Sequence, residues 1–292
     1  MLRILIKVES ILYMFRLLLF AIFAYFFYLF FWTEVQRTGG SKGTSEDGGS
    51  KGTEGFEGKV KVRILTGEET RKIICAKRTL EVQRTVGFRE TLDNYYDSFS
   101  ALDLRARGVS SLNEYLRRIE SVCLDGACDP DTESIIYKCV EKVDFEQKRR
   151  HWINMERLRA LPWTIAVTKG NGSAYEYGLP HTRGDVIIIP ESAVVESDDF
   201  VDTLMHEQLH VYQKMYPEDF QKYLDSEGFV RHCWRREIQN VAANPDADEW
   251  VYSKDGEIFV GQYTGGGANY KSVTFKPINH ARYDCPQEYA VY

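Results

Sequence analysis

The pentapeptide His206-Glu207-Gln208-Leu209-His210 sets two imidazoles four residues apart, with a carboxylate directly after the first. On a helix, residues i and i+4 lie one above the other on the same face, so both rings can reach one ion. Zinc takes nitrogen ligands of this kind and, in catalytic sites, keeps one position open. A carboxylate beside the ion can take a proton from a polarised water and return it to a leaving group. Residue type and spacing thus make His206 and His210 ligands for Zn2+, and Glu207 the general base. Chance produces the pattern in roughly one chain in a hundred of this composition. The bland alternative is two surface histidines beside a solvated glutamate.

The flanking residues favour the first reading. Ser197 is a good N-cap, and Asp198 and Asp199 suit the positive end of a helix dipole. Val201, Leu204, Met205, Val211, Tyr212 and Met215 recur at helical spacing, which predicts a helix over 198–215. Pro217 opens a second helix over 217–226, stopped by Gly228. Just upstream, residues 185–189 (DVIII) form a β-branched run closed by Pro190, expected as a strand.

A His-Glu-x-x-His helix placed after a β-strand resembles the zincin metallopeptidases. That resemblance implies an edge strand that binds substrate backbone, which puts Ile187 and Ile188 of the 185–189 run against a peptide. The metzincin branch needs Gly and His where this chain has Gln213 and Tyr216. The gluzincin branch takes its third ligand from a later Glu, and the matching stretch is Cys285-Pro286-Gln287-Glu288-Tyr289-Ala290. The Glu-x-x-x-Asp form of thermolysin-like enzymes is absent, because Tyr292 occupies the Asp position. The pattern from GLPHT onward also resembles uncharacterised metallopeptidase-like proteins of large DNA viruses. The resemblance covers residues 175–292.

Two histidines do not complete a catalytic zinc site. Glu218, Asp219, Asp225, Glu227, Glu237, Asp246 and Glu249 all follow the motif. Glu288 has the better local setting, with a proline-led entry and Asp284 as a cap. His280 is its rival and would make a three-histidine site. His181, in Gly178-Leu179-Pro180-His181-Thr182, can bind substrate, stabilise an oxyanion or cap local backbone. His232 beside Trp234 reads as structural, Arg235 and Arg236 as a solvated face, and Tyr283 as a weak oxyanion candidate. Asn171-Gly172-Ser173 is an N-glycosylation sequon, usable only in a lumenal domain.

Those residues need a frame. Strands are expected over 59–65, 71–76, 163–168 and 185–189. Helices are expected over 94–104, 111–122, 131–148 and 151–160, and the chain after residue 228 reads as loop-rich. Strand and helix mix without βαβ regularity, so the fold class is α+β, with a zincin-like active-site helix beside a small sheet.

Residues 17–32 (LLLFAIFAYFFYLFFW) hold no charge, Gly or Pro, and extension back to residue 11 admits only Arg16. That length spans roughly 30 Å of hydrocarbon. A cleaved signal peptide has a shorter apolar run and a small-residue cleavage site. The expectation is one transmembrane anchor over 1–37, a Gly/Ser-rich tether over 38–58 carrying GGSKGT twice, and a hydrolase domain over 59–292. Arg3, Lys7 and Arg16 outnumber Arg37 and Lys42, which places the domain lumenal or extracellular. The net charge of −6, without a basic block, argues against nucleic acid. The six cysteines include no Cys-x-x-Cys pair, which leaves disulfides or buried thiols.

The expected function is that of a membrane-anchored zinc metallopeptidase acting on peptide or protein. A zinc amidase for cell-wall or other amide bonds is the alternative, as is a binding protein with a vestigial site. An intact Glu207 speaks against the last. Nothing in the sequence specifies an oligomer.

Overall fold

Residues 61–76, 95–264, 272–276 and 285–291 are described by a computed structural model, all within the unit Gly58–Tyr292. The expected anchor and tether, and His280, Tyr283 and Asp284, lie outside them. Among the described residues, no helix is long and apolar enough to cross a membrane. Helices and two small sheets make an α+β fold.

The first sheet contains β1 (Val62–Ile64), β2 (Trp163–Thr168), β3 (His181–Arg183) and β4 (Val186–Pro190), in the order β1-β2-β4-β3. β1, β2 and β4 are parallel, and β3 runs antiparallel to β4 at the edge. Every residue of β2 and β4 is buried, as expected of parallel strands covered on both faces. Alternation sends Ile165, Val167, Ile187 and Ile189 into one core. Ala166, Val186 and Ile188 go into a second core, with Tyr95, Tyr115 and Ile119.

The connection from β1 to β2 carries α1 (Gly67–Ile74), α2 (Ala101–Ala106), α3 (Leu112–Ile119), α4 (Pro130–Glu141) and α5 (Met155–Ala160). The strand expected over 71–76 is instead the second half of α1. Thr66 accepts from Glu69 N while the Glu69 carboxylate accepts from Thr66 N, and this capping box starts a helix that overrides the β-branched run. The helix expected over 94–104 is broken: a 3-10 turn, Tyr95–Ser98, precedes α2, and Ser100 caps α2 afresh. The one expected over 131–148 ends at Glu141, and Asp144 caps a separate 3-10 turn, Phe145–Lys148.

The motif lies on α6 (Asp198–Met215), with the bounds expected from the sequence and with Ser197 accepting from Phe200 N. Leu204, Met205, Leu209, Val211 and Tyr212 seat it in the first core, on the β2/β4 face. α7 (Pro217–Glu227) follows and ends at left-handed Gly228. The region expected as loop instead forms an antiparallel sheet. It contains β5 (Val230–Trp234), β6 (Trp250–Lys254), β7 (Glu257–Tyr263) and β8 (Val273–Lys276), paired in chain order. Short α8 (Pro286–Val291) packs Ala290 and Val291 into the first core. Cys75, Cys123, Cys128, Cys139 and Cys233 are free thiols.

Candidate metal centre

His206 and His210 project from the same face of α6, with their Nε2 atoms 3.0 Å apart. Glu288 arrives from α8, its Oε2 lying 3.6 Å from His206 Nε2 and 3.7 Å from His210 Nε2. All three ligand atoms fall within 4.8 Å of one another. A tetrahedral ion about 2.0–2.1 Å from each donor requires donor separations of roughly 3.3 Å. The observed spacings straddle that value, and the N,N,O donor set suits zinc, so the residues fit the ion.

Burial favours the neutral form of His206 and, with His210 close by, holds it down at about 4. Burial would lower His210 too, but the Asp246 and Glu288 carboxylates outweigh it and raise the ring to about 9. Glu288 is the counterpart: burial pushes up, His210 pulls harder, and its carboxyl falls to about 2. The spot is thus electronegative enough to keep a positive charge where burial would expel one. A divalent cation would take the place of that proton.

Glu207 is buried, and its Oε2 accepts from Thr182 Oγ1 at 2.9 Å. Burial, reinforced by Asp246, raises its carboxyl to about 8. Thr182 belongs to β3, so the edge strand directly orients the candidate base.

The cleft over these groups is about 820 Å³. His206, Glu207 and Glu288 meet Asp246, His181 and Tyr177 along its wall. Its lip is a left-handed turn, with Glu176 at φ 41°, Tyr177 at φ 59° and Gly178 at φ 75°. A Cβ on Gly178 would lie 2.0 Å from the Asn171 carbonyl oxygen, so that position requires glycine. Strain of this kind persists only where neighbours hold it. The Glu176 carboxylate supplies the hold, accepting from Arg107 Nε at 3.2 Å, Arg107 Nη2 at 2.5 Å and Tyr115 Oη at 2.6 Å. Burial would raise Glu176, but Arg107 outweighs it and lowers the carboxyl to about 2.

The other expected site residues divide. Ile187 and Ile188 are buried and belong to β4, which pairs with β2 on one side and β3 on the other. An interior strand has no free backbone edge, so the expectation that they bind substrate is corrected: the edge is β3. Even there, Thr182 N donates to Asp246 Oδ1 at 2.8 Å and Thr182 O accepts from Lys214 Nζ at 2.7 Å. In an antiparallel ladder these groups face away from β4, so side chains already occupy the outer edge.

His181 is on β3, with Nδ1 2.8 Å from the Leu179 carbonyl oxygen. A carbonyl only accepts, so the proton sits on Nδ1. Burial keeps the ring neutral, and Nε2 has no partner among the described residues. In that state His181 caps local backbone and has no proton to offer an oxyanion. Arg235, expected on a solvated face, is buried and donates to the Ala242 carbonyl at 2.6 Å. Among the rival acids, Glu218 and Asp219 are engaged by Arg157, and Asp246 holds β3.

Sequence reasoning missed Thr182, Gln213, Asn244 and the role of Asp246. Asn244-Pro245-Asp246 carries the residue types of an Asx-type turn, and Asp246 N donates to Asn244 Oδ1. Its reach to the site depends on long-range packing that no local pattern encodes. Comparisons with family models, with curated proteins and with solved structures give no significant match.

Proposed function

We propose that this chain is a zinc-dependent hydrolase of the metallopeptidase type. The observation that carries the reading is the convergence of His206, His210 and Glu288, from two separate helices, beside the buried carboxylate of Glu207. When bound, zinc supplies a Lewis acid and lowers the pKa of water. His206, His210 and Glu288 would hold it. Glu207, oriented by Thr182, takes the proton of the attacking water and delivers it to the departing amine. The cleft of about 820 Å³ over these groups gives an amide substrate room to reach them.

The arrangement resembles the gluzincin branch of the zincins in its two-helix ligand set. It departs from the resemblance at the substrate edge, which is closed at Thr182 by Asp246 and Lys214. Substrate is therefore gripped mainly through side chains in the cleft. The hydrophobic run at 17–32 supports attachment to a lipid bilayer.

The test is zinc-dependent turnover by the full-length chain in detergent. Quenched peptide libraries and peptidoglycan fragments serve as parallel substrates, with a chelator-treated control. Chelator-sensitive peptide cleavage is expected. Cleavage of peptidoglycan alone would replace peptidase by amidase, and turnover insensitive to metal would reject the assignment.

A further inference from the structure

A buried amide outside the chemistry above lies between the second histidine and the third ligand. Gln213 follows His210 by three residues on α6 and is 4% exposed. Its Nε2 donates to the Gln287 carbonyl oxygen at 3.0 Å, and its Oε1 lies 3.0 Å from His210 Nδ1. Gln287 immediately precedes Glu288.

The orientation of this amide follows from its partners. A backbone carbonyl can only accept, so the NH2 end of Gln213 must face Gln287. The oxygen end must then face His210 and needs a donor there. That places a proton on His210 Nδ1, so Nε2, on the side facing His206 and Glu288, is the nitrogen that a cation would take. Outer partners that fix a ligand ring in this way raise its basicity and hold its angle.

The same amide holds the third ligand's segment. α8 is six residues long, too short to persist by local helix propensity. Its ties are the Gln213 donor to Gln287, the burial of Ala290 and Val291, and Asn244 Nδ2, 3.5 Å from Glu288 Oε1. Gln213 is the member of this set that also touches a histidine ligand.

We infer that Gln213 is a positioning residue that couples the two halves of the site. It selects the His210 tautomer able to bind a cation and pins α8 so that Glu288 faces that ring. Metal occupancy and docking of the C-terminal helix are then one linked equilibrium. This rests on the zinc reading above.

The experiment compares wild type, Gln213→Met and Gln213→Glu as full-length chains in detergent. Zinc affinity is measured by competition with a chromophoric chelator, and amide hydrogen exchange is followed over residues 285–291. Circular dichroism checks each fold. Gln213→Met, nearly isosteric but without either hydrogen bond, is expected to bind zinc about 10- to 100-fold more weakly and to exchange faster over 285–291. Gln213→Glu can still accept from His210 but cannot donate to Gln287. It is expected to exchange faster in the same segment and to bind zinc about 3- to 10-fold more weakly than wild type, a smaller loss than in Gln213→Met because the His210 tautomer is kept while docking of the third ligand is weakened. Wild-type zinc affinity in either variant, or wild-type exchange in Gln213→Glu, overturns the coupling. Should Gln213→Met fail to fold, Gln213→Glu decides alone. Wild-type protein that takes up no zinc overturns the zinc reading itself, which separates the two failures.

Discussion

Thr182 Oγ1 lies 2.9 Å from Glu207 Oε2, so a hydroxyl on the edge strand of one sheet aims the candidate base on the motif helix. The contact ties the edge strand β3 to the motif helix α6. Thr182→Val removes the hydroxyl and keeps the shape. It should lower kcat about 10-fold and leave zinc content unchanged, whereas Thr182→Ser should restore most of the rate. Steady-state peptide hydrolysis with elemental analysis of each variant checks this, and a rate unaffected by Thr182→Val removes the contact from the mechanism.

Glu207→Gln should retain metal and fold but lose turnover by about 100-fold or more, because the amide cannot carry a proton. The measurement is turnover against zinc content in the same sample. Wild-type turnover by this variant would take Glu207 out of the chemistry.

The full-length chain should hold one zinc per molecule after dialysis, as the single three-donor cluster among the described residues implies. Glu288→Ala should weaken zinc binding about 10-fold or more, and a His206→Ala/His210→Ala pair should abolish it. Elemental analysis and chelator competition read both. Full affinity in Glu288→Ala would leave the third donor to be sought elsewhere.

The buried Arg107–Glu176 pair, which lines the cleft, should contribute to acid stability. Glu176 has its folded-state carboxyl at about 2, below the ordinary carboxylate value of 4.5. A depressed folded pKa contributes stability that is fully present above the unfolded value and is lost as pH falls through the folded one. Unfolding free energy should therefore decline between about pH 4.5 and pH 2, and Glu176→Gln should flatten that decline. At neutral pH the variant should be destabilised by about 3 kcal/mol, because Arg107 loses its principal partner in a buried setting. Denaturant melts across pH test it, and an identical pH slope in the variant would assign the acid sensitivity to other carboxylates.

The motif helix was legible because its signals are local and agree: a Ser197 cap, acids in the first turn, apolar spacing and Pro217 beyond. The convergence of Glu288 on His206 and His210 was anticipated from its proline-led entry. What failed was long-range or outvoted. Residues 71–76 look like a strand until the Thr66/Glu69 capping box is weighed, and the box wins. In the sheet β5–β8 the β6–β7 hairpin did carry a local signal, the Asp255-Gly256 turn with both residues at positive φ between β-branched and aromatic runs, whereas β5–β6 and β7–β8 pair across longer connections that no local pattern encodes. Ile187 and Ile188 were placed on an edge because strand order cannot be read locally. The run VIII did carry a signal, since an unbroken apolar stretch marks a strand covered on both sides.

The bracket that Asp246 and Lys214 place on Thr182 also bears on assembly. An uncovered strand edge is a template on which other chains can add, the usual beginning of sheet-mediated aggregation. With the outward N–H and C=O of Thr182 already satisfied, a neighbouring copy must break two side-chain hydrogen bonds before it can extend this sheet. Copies crowded together would therefore sit side by side without propagating β-structure through this edge.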